Sequence, residues 1–131
     1  MCNEDNSNFS FSYELKDTIE NKIKAVATKI YGAKDVVFTE NALNNLKDIK
    51  SLKRYNDLPV IIAKTQYSLT DDQKLLGRPK DFNITINEVQ LRSGANFIVA
   101  VAGSMLLMPG LSKNPAGANM DINGDIITGL F

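Results

Sequence analysis

Three short stretches carry the residue types that could do chemistry. Lys64-Thr65-Gln66-Tyr67-Ser68 places a cation, two hydroxyls, an amide and a phenol directly after the apolar run Pro59–Ala63. Strand ends are where rigid scaffolds present functional groups, and a lysine there could hold a phosphate or a carboxylate as a point charge. Leu76-Gly77-Arg78-Pro79 sets an arginine between Gly and Pro, where it could grip an oxyanion with two parallel hydrogen bonds. Met108-Pro109-Gly110-Leu111 makes a tight turn that lets backbone approach a ligand. Each has a plainer reading: a polar loop satisfying its own backbone, a turn with a solvated arginine, and a turn that closes a strand. On residue types alone the plainer readings carry more weight.

Other chemistry is excluded by what the chain lacks. It contains no histidine, which removes the commonest general base, the commonest zinc ligand and any Ser-His or Cys-His pair. Neither Gly-x-x-x-x-Gly-Lys-Ser/Thr nor Gly-x-Gly-x-x-Gly occurs, so no phosphate cradle is expected. Asp71-Asp72 is a weak signal for a hard cation and reads better as a solvated, charged turn. No catalytic residue and no metal-ligand set is assigned.

The bulk properties narrow the class further. Of 131 residues, 44% are apolar, enough for a real core. Fifteen basic residues balance fifteen acidic ones, so no electrostatic footprint for nucleic acid or an anionic membrane follows. No apolar run approaches a membrane span. The polar start Met1-Cys2-Asn3-Glu4 lacks the core of a signal peptide, and Cys2 is the single cysteine. A cytoplasmic protein is the expectation.

The elements that must position these stretches follow from periodicity. Residues 1–8 read as a disordered leader, and Phe9-Ser10-Phe11-Ser12-Tyr13 as a short edge strand or an extended arm. Asp17 as N-cap with Glu20 three residues on predicts a helix, with Ile19, Ile23, Val26, Ala27 and Ile30 inward and Gly32 as its stop. Asp35–Phe38 is a short strand or extended link. Thr39 then caps a second helix, with Leu43, Leu46 and Ile49 inward, Asn45 and Lys47 on a solvated face, and an end near Lys53. Pro59–Ala63 reads as a buried strand, followed by an irregular stretch from Lys64 to about Phe82. Ile84, Ile86, Val89 and Leu91 alternate with a slip at Asn87-Glu88 that predicts a β-bulge. Phe97–Ala102 is a second buried strand, and Met105 and Met108 read as core. Ile122-Asn123-Gly124-Asp125 followed by Ile126-Ile127 predicts a hairpin. No helical crossovers separate the later strands. The expected class is α+β: two N-terminal helices packed on a mixed or antiparallel sheet, in the manner of an α/β roll, with a C-terminal β-hairpin.

Eight stretches together resemble the C-terminal region of formate–tetrahydrofolate ligases. They are Lys29-Ile30-Tyr31-Gly32-Ala33, Leu58-Pro59-Val60, Ala63 to Ser68, Leu76 to Pro79, Glu88-Val89, Phe97-Ile98-Val99, Met108 to Leu111 and Thr128-Gly129-Leu130-Phe131. They stand in the family's order at nearly its spacing, from about Phe9 to the end. The resemblance implies a single domain over residues 9–131, from an enzyme that joins formate to tetrahydrofolate at the expense of ATP. It implies a formyl phosphate intermediate, magnesium on the nucleotide, a monovalent cation as activator and a homotetramer. The family's P-loop lies in a large N-terminal domain that these residues do not resemble, so no cofactor is expected on this chain alone.

Carried over residue by residue, the resemblance makes Lys64, Thr65, Gln66, Ser68, Arg78, Pro109, Gly110 and Leu111 the ligand-binding candidates. It implies a chain that walls the active site, supports assembly and is inactive by itself. The partner would be an N-terminal ligase half, or a second copy. The competing expectation is a stand-alone, non-catalytic module derived from the ligase. Asn87 and Gln90 stand where the family usually has arginines, Ser112 replaces a usual proline, and the final hairpin is one residue shorter. Losing two cations weakens any claim that this surface keeps its usual acidic neighbours.

Overall fold

The computed structural model describes residues 10–103, 105, 113–124 and 126–129. Pro109, Gly110, Leu111, Met108 and the leader therefore lie outside the described residues. The class is α+β: two helices, a mixed four-stranded sheet and an antiparallel hairpin.

Helix α1 (Ile19–Ala25) is capped by Thr18, whose hydroxyl accepts the Asn21 N–H at 3.2 Å. The expected cap, Asp17, instead accepts from the Asn21 side chain at 3.3 Å. Thr18 wins because its backbone is extended and its short side chain lies one residue closer to the free N–H groups. The helix continues as a π-helical turn over Val26–Ile30. That widening carries Ile30 off the apolar stripe and leaves it exposed, while Ile19, Ile23 and Ala27 stay buried. Gly32, at φ +74°, ends the helix, and the Ala33 N–H reaches back to the Ala27 carbonyl at 3.0 Å.

Strand β1 (Asp35–Phe38) leads to α2 (Glu40–Ser51), with Thr39 as its N-cap. The buried stripe of α2 is Ala42, Leu46 and Ile49, at i, i+4 and i+7. Leu43 was expected inward and is exposed, because the narrow contact with the sheet admits Ala42 and leaves its neighbour outside. A 3₁₀ turn (Lys53–Tyr55) precedes β2 (Val60–Ala63). Then come β3 (Asn83–Arg92) and β4 (Phe97–Ala102). Beyond them lie a 3₁₀ turn (Ala116–Asn119) and the hairpin β5 (Asp121–Asn123) and β6 (Ile126–Thr128).

The sheet order is β1-β3-β4-β2, with β3 and β4 antiparallel at the centre and each edge strand parallel to its neighbour. The register of β3 on β4 shifts between Ile86 and Glu88, so the predicted bulge is present. Its backbone groups are taken up by α2. The Asn87 carbonyl accepts from Thr39 Oγ1 at 3.0 Å and from Asn41 Nδ2 at 3.1 Å, and the Val89 N–H donates to Asn45 Oδ1 at 3.2 Å. Asn45 was expected on a solvated face; the bulge turns it into a structural acceptor. β2 was expected to be a buried strand, yet it is an edge strand and Ile61 is 48% exposed. Both helices cover one face of the sheet, where Ile84, Ile86, Val89, Ile98, Ala100 and Ala102 meet Ile23 and Leu46. Met105, expected in the core, is exposed.

Candidate functional site

β2 and β4 run parallel and end side by side, with Ala63 opposite Val101. Lys64 leaves the sheet at that point, and the irregular stretch it begins returns as Phe82, buried in the core. Polar anchors shape the stretch between. The Lys64 ammonium donates to the Thr65 carbonyl at 2.8 Å and to the Ser68 carbonyl, and lies over the Tyr31 ring at 5.3 Å from its centroid. Thr65 is buried, and its hydroxyl accepts the Tyr67 N–H at 3.4 Å. The Thr70 N–H donates to Ser68 Oγ at 3.1 Å, and Thr70 Oγ1 donates to the Asp72 carbonyl at 3.0 Å. These are local turns of the kind short hydroxyl side chains make.

Ser68 forms a parallel bridge with Gly77, and the Leu69 N–H donates to the Gly77 carbonyl at 3.2 Å. Gly77 has φ +76°, a conformation that suits glycine. The bridge joins two of the three sequence-predicted stretches: Lys64 to Ser68 and Leu76 to Pro79 lie side by side. Gln66 and Arg78 are exposed along their rim. Tyr67 and Leu76, which flank the bridge, are exposed apolar groups. The third stretch, Pro109 to Leu111, lies outside the described residues.

Burial lowers the Lys64 pKa from its ordinary value, and the Asp71 carboxylate opposes that shift. Asp71 is half-buried and accepts the Thr85 N–H at 2.7 Å, so it is not the solvated turn residue its sequence suggested. Among the described residues no three His, Cys, Asp or Glu side chains gather where a metal ion could be held. Nor is any described helix long and apolar enough to cross a membrane.

Two polar anchors escaped the sequence reading. Lys22 is 0% exposed, and its ammonium donates to the carbonyls of Leu15, Asn56 and Leu58 at 3.0, 2.6 and 2.8 Å. Its one available signal was position: Lys22 sits beside Ile23 on the apolar stripe, three residues after Ile19. Burial lowers its pKa, with Asp57 and Asp17 pulling upward. Tyr13 Oη accepts the Val60 N–H at 2.9 Å and donates to the Val60 carbonyl at 3.2 Å. That docks the chain before α1 on the outer edge of β2, as an arm rather than a strand.

A family model described as formate–tetrahydrofolate ligase matches residues 1–131. Formate–tetrahydrofolate ligase 2 of Lactobacillus acidophilus (strain ATCC 700396 / NCK56 / N2 / NCFM) is 54% identical over 121 residues, 91% of this chain. Formate–tetrahydrofolate ligase of Campylobacter concisus (strain 13826) is 52% identical over 119 residues, again 91% of the chain. In both cases the chain spans 22% of the relative's length.

Proposed function

The chain belongs to the formate–tetrahydrofolate ligase family, and from that premise we propose that it forms the C-terminal portion of such a ligase. The whole enzyme would join formate and tetrahydrofolate at the expense of ATP, giving 10-formyltetrahydrofolate, ADP and phosphate. This portion would wall the active site and support assembly, in the cytoplasm. One observation carries the reading: a match over 91% of the chain is combined with a sequence that holds no phosphate cradle.

Phosphoryl transfer needs preorganised backbone donors and cations at the transferring oxygens. On this reading those groups, with the magnesium and the monovalent cation, belong to the remainder of the enzyme. The groups offered here are Gln66 and Arg78 on the rim, with Lys64, Thr65 and Ser68 shaping it and Pro109 to Leu111 as further candidates. They position and exclude water; they do not make a nucleophile. The isolated chain therefore gives no turnover.

The test is reconstitution. The purified chain is mixed with the separately expressed upstream four-fifths of the Lactobacillus acidophilus relative. Production of 10-formyltetrahydrofolate that requires ATP and formate is the expected result. No gain over the upstream part alone rejects the ligase role, and product from the purified chain alone rejects its inactivity.

A second reading, a stand-alone module that binds a partner or itself, is favoured by the hairpin. Ile122, Ile126 and Ile127 are 70, 67 and 54% exposed, and a two-stranded ribbon is marginal in water unless it packs on something. Sedimentation decides this one: a strict monomer that captures no partner leaves the module reading without support.

A further inference from the structure

Tyr31, the C-cap of the π-helical turn Val26–Ile30, lies against the Lys64 loop. A π turn inserts an extra residue into a helix and tends to occur where function requires it. Here it brings Tyr31, the residue after the turn, up against the Lys64 ammonium at 5.3 Å from the ring centroid. The same ammonium donates to the carbonyls of Thr65 and Ser68. Two of its three hydrogens are thus committed to its own loop, while a ring face covers it. The side chain is half-buried, whereas Gln66 and Arg78 are exposed.

We propose that Lys64 is the positioning residue of this loop and not its ligand contact. With Tyr31 against it, the ammonium curls Thr65 to Ser68 around itself and turns Gln66 and Tyr67 outward, on the loop that the parallel Ser68–Gly77 bridge joins to the stretch carrying Arg78. A carboxylate or phosphoryl oxygen approaching this rim then meets the exposed Gln66 amide or the exposed Arg78 guanidinium. An anion that bound Lys64 directly would have to use the ammonium's one remaining hydrogen, beside the Tyr31 ring contact, or displace a carbonyl bond. Tyr31 joins the site as the partner that holds the cation in place. What the rim meets rests on the ligase reading; how the loop is shaped does not.

The test uses the chain alone. Amide hydrogen exchange is followed by NMR at Tyr67, Leu69 and Thr70, whose N–H groups are bonded within the loop. Lys64→Met and Tyr31→Leu are expected to speed exchange there by about tenfold or more while β3 and β4 exchange as before. Tyr31→Phe, which keeps the ring face, should stay within about twofold of the parent. In parallel, titration with inorganic phosphate and then with formate should produce no saturable shift of the Lys64 Nζ resonance. A saturable Lys64 shift overturns the proposal, as does Tyr31→Leu exchanging like the parent. Should Lys64→Met fail to fold, the Leu and Phe variants at position 31 still decide. A failed reconstitution of ligase activity would count against the ligase reading and leave this one standing.

Discussion

Asp71 accepts the backbone N–H of Thr85 at 2.7 Å and so takes the place of a strand. β4 ends at Ala102, opposite Ile86, whereas β3 begins three residues earlier at Asn83. Past that end the Asp71 carboxylate supplies the missing ladder acceptor. The loop fits closely there: a Cβ on Gly103, at φ +67°, would lie 2.9 Å from the Asp71 carbonyl oxygen. The same carboxylate is the charge that opposes the lowered pKa of Lys64. One loop residue thus ties the rim of the candidate site to the sheet.

Asp71→Ala should cost about 1–3 kcal/mol, the range for leaving a part-buried donor without its charged partner. Urea unfolding of the two proteins measures it. A loss under about 0.5 kcal/mol, the size of an ordinary surface substitution, would mean that water replaces the carboxylate at no cost.

Thr39 serves two elements with one hydroxyl. Its oxygen accepts the Ala42 N–H at 3.3 Å and its proton goes to the Asn87 carbonyl at 3.0 Å. Thr39→Val keeps the shape and removes both bonds, so a loss of about 1–2 kcal/mol is expected. Thr39→Ser should restore most of it. If valine and serine behave alike in thermal unfolding, the cap is not what holds α2 on the bulge.

Lys22→Met removes the donor that three carbonyls share. Each carbonyl left dry costs on the order of 1 kcal/mol or more, so a loss above about 2 kcal/mol is expected. The pH dependence has a definite sign. Burial lowers the Lys22 pKa below 10.5 in the folded protein, so between that lowered value and 10.5 the unfolded chain binds more protons than the folded one. The contribution of Lys22 to stability therefore rises with pH across that interval. Unfolding of both proteins in a series of alkaline buffers should show their difference widening; a constant difference would contradict the lowered pKa.

Arg78 is exposed on the rim and supports no described core contact. Arg78→Ala should leave urea stability within about 0.5 kcal/mol of the parent. In the reconstituted ligase it should lower kcat/KM by about tenfold or more, the loss of a charge-assisted contact. Undiminished activity in the mixture would remove Arg78 from the candidate site.

Local pattern was enough for most elements. The two helices, the hairpin turn at Gly124 and the Asn87-Glu88 bulge follow from periodicity and turn chemistry, because each depends on neighbours within a few residues. The Lys64 to Ser68 stretch stood out for the same reason: a polar cluster directly after an apolar run. Long-range partners were beyond that reach. Nothing near Lys22 in the chain announces that Leu15, Asn56 and Leu58 will turn three carbonyls toward it. Nothing near Asp71 shows that β4 stops short of Thr85. The π turn that brings Tyr31 to Lys64 leaves no mark in an apolar stripe that reads equally well as a regular helix. A buried charge or an unpaired N–H must be satisfied by whichever group the fold brings within about 3 Å, and only the packed sheet and helices decide which group that is.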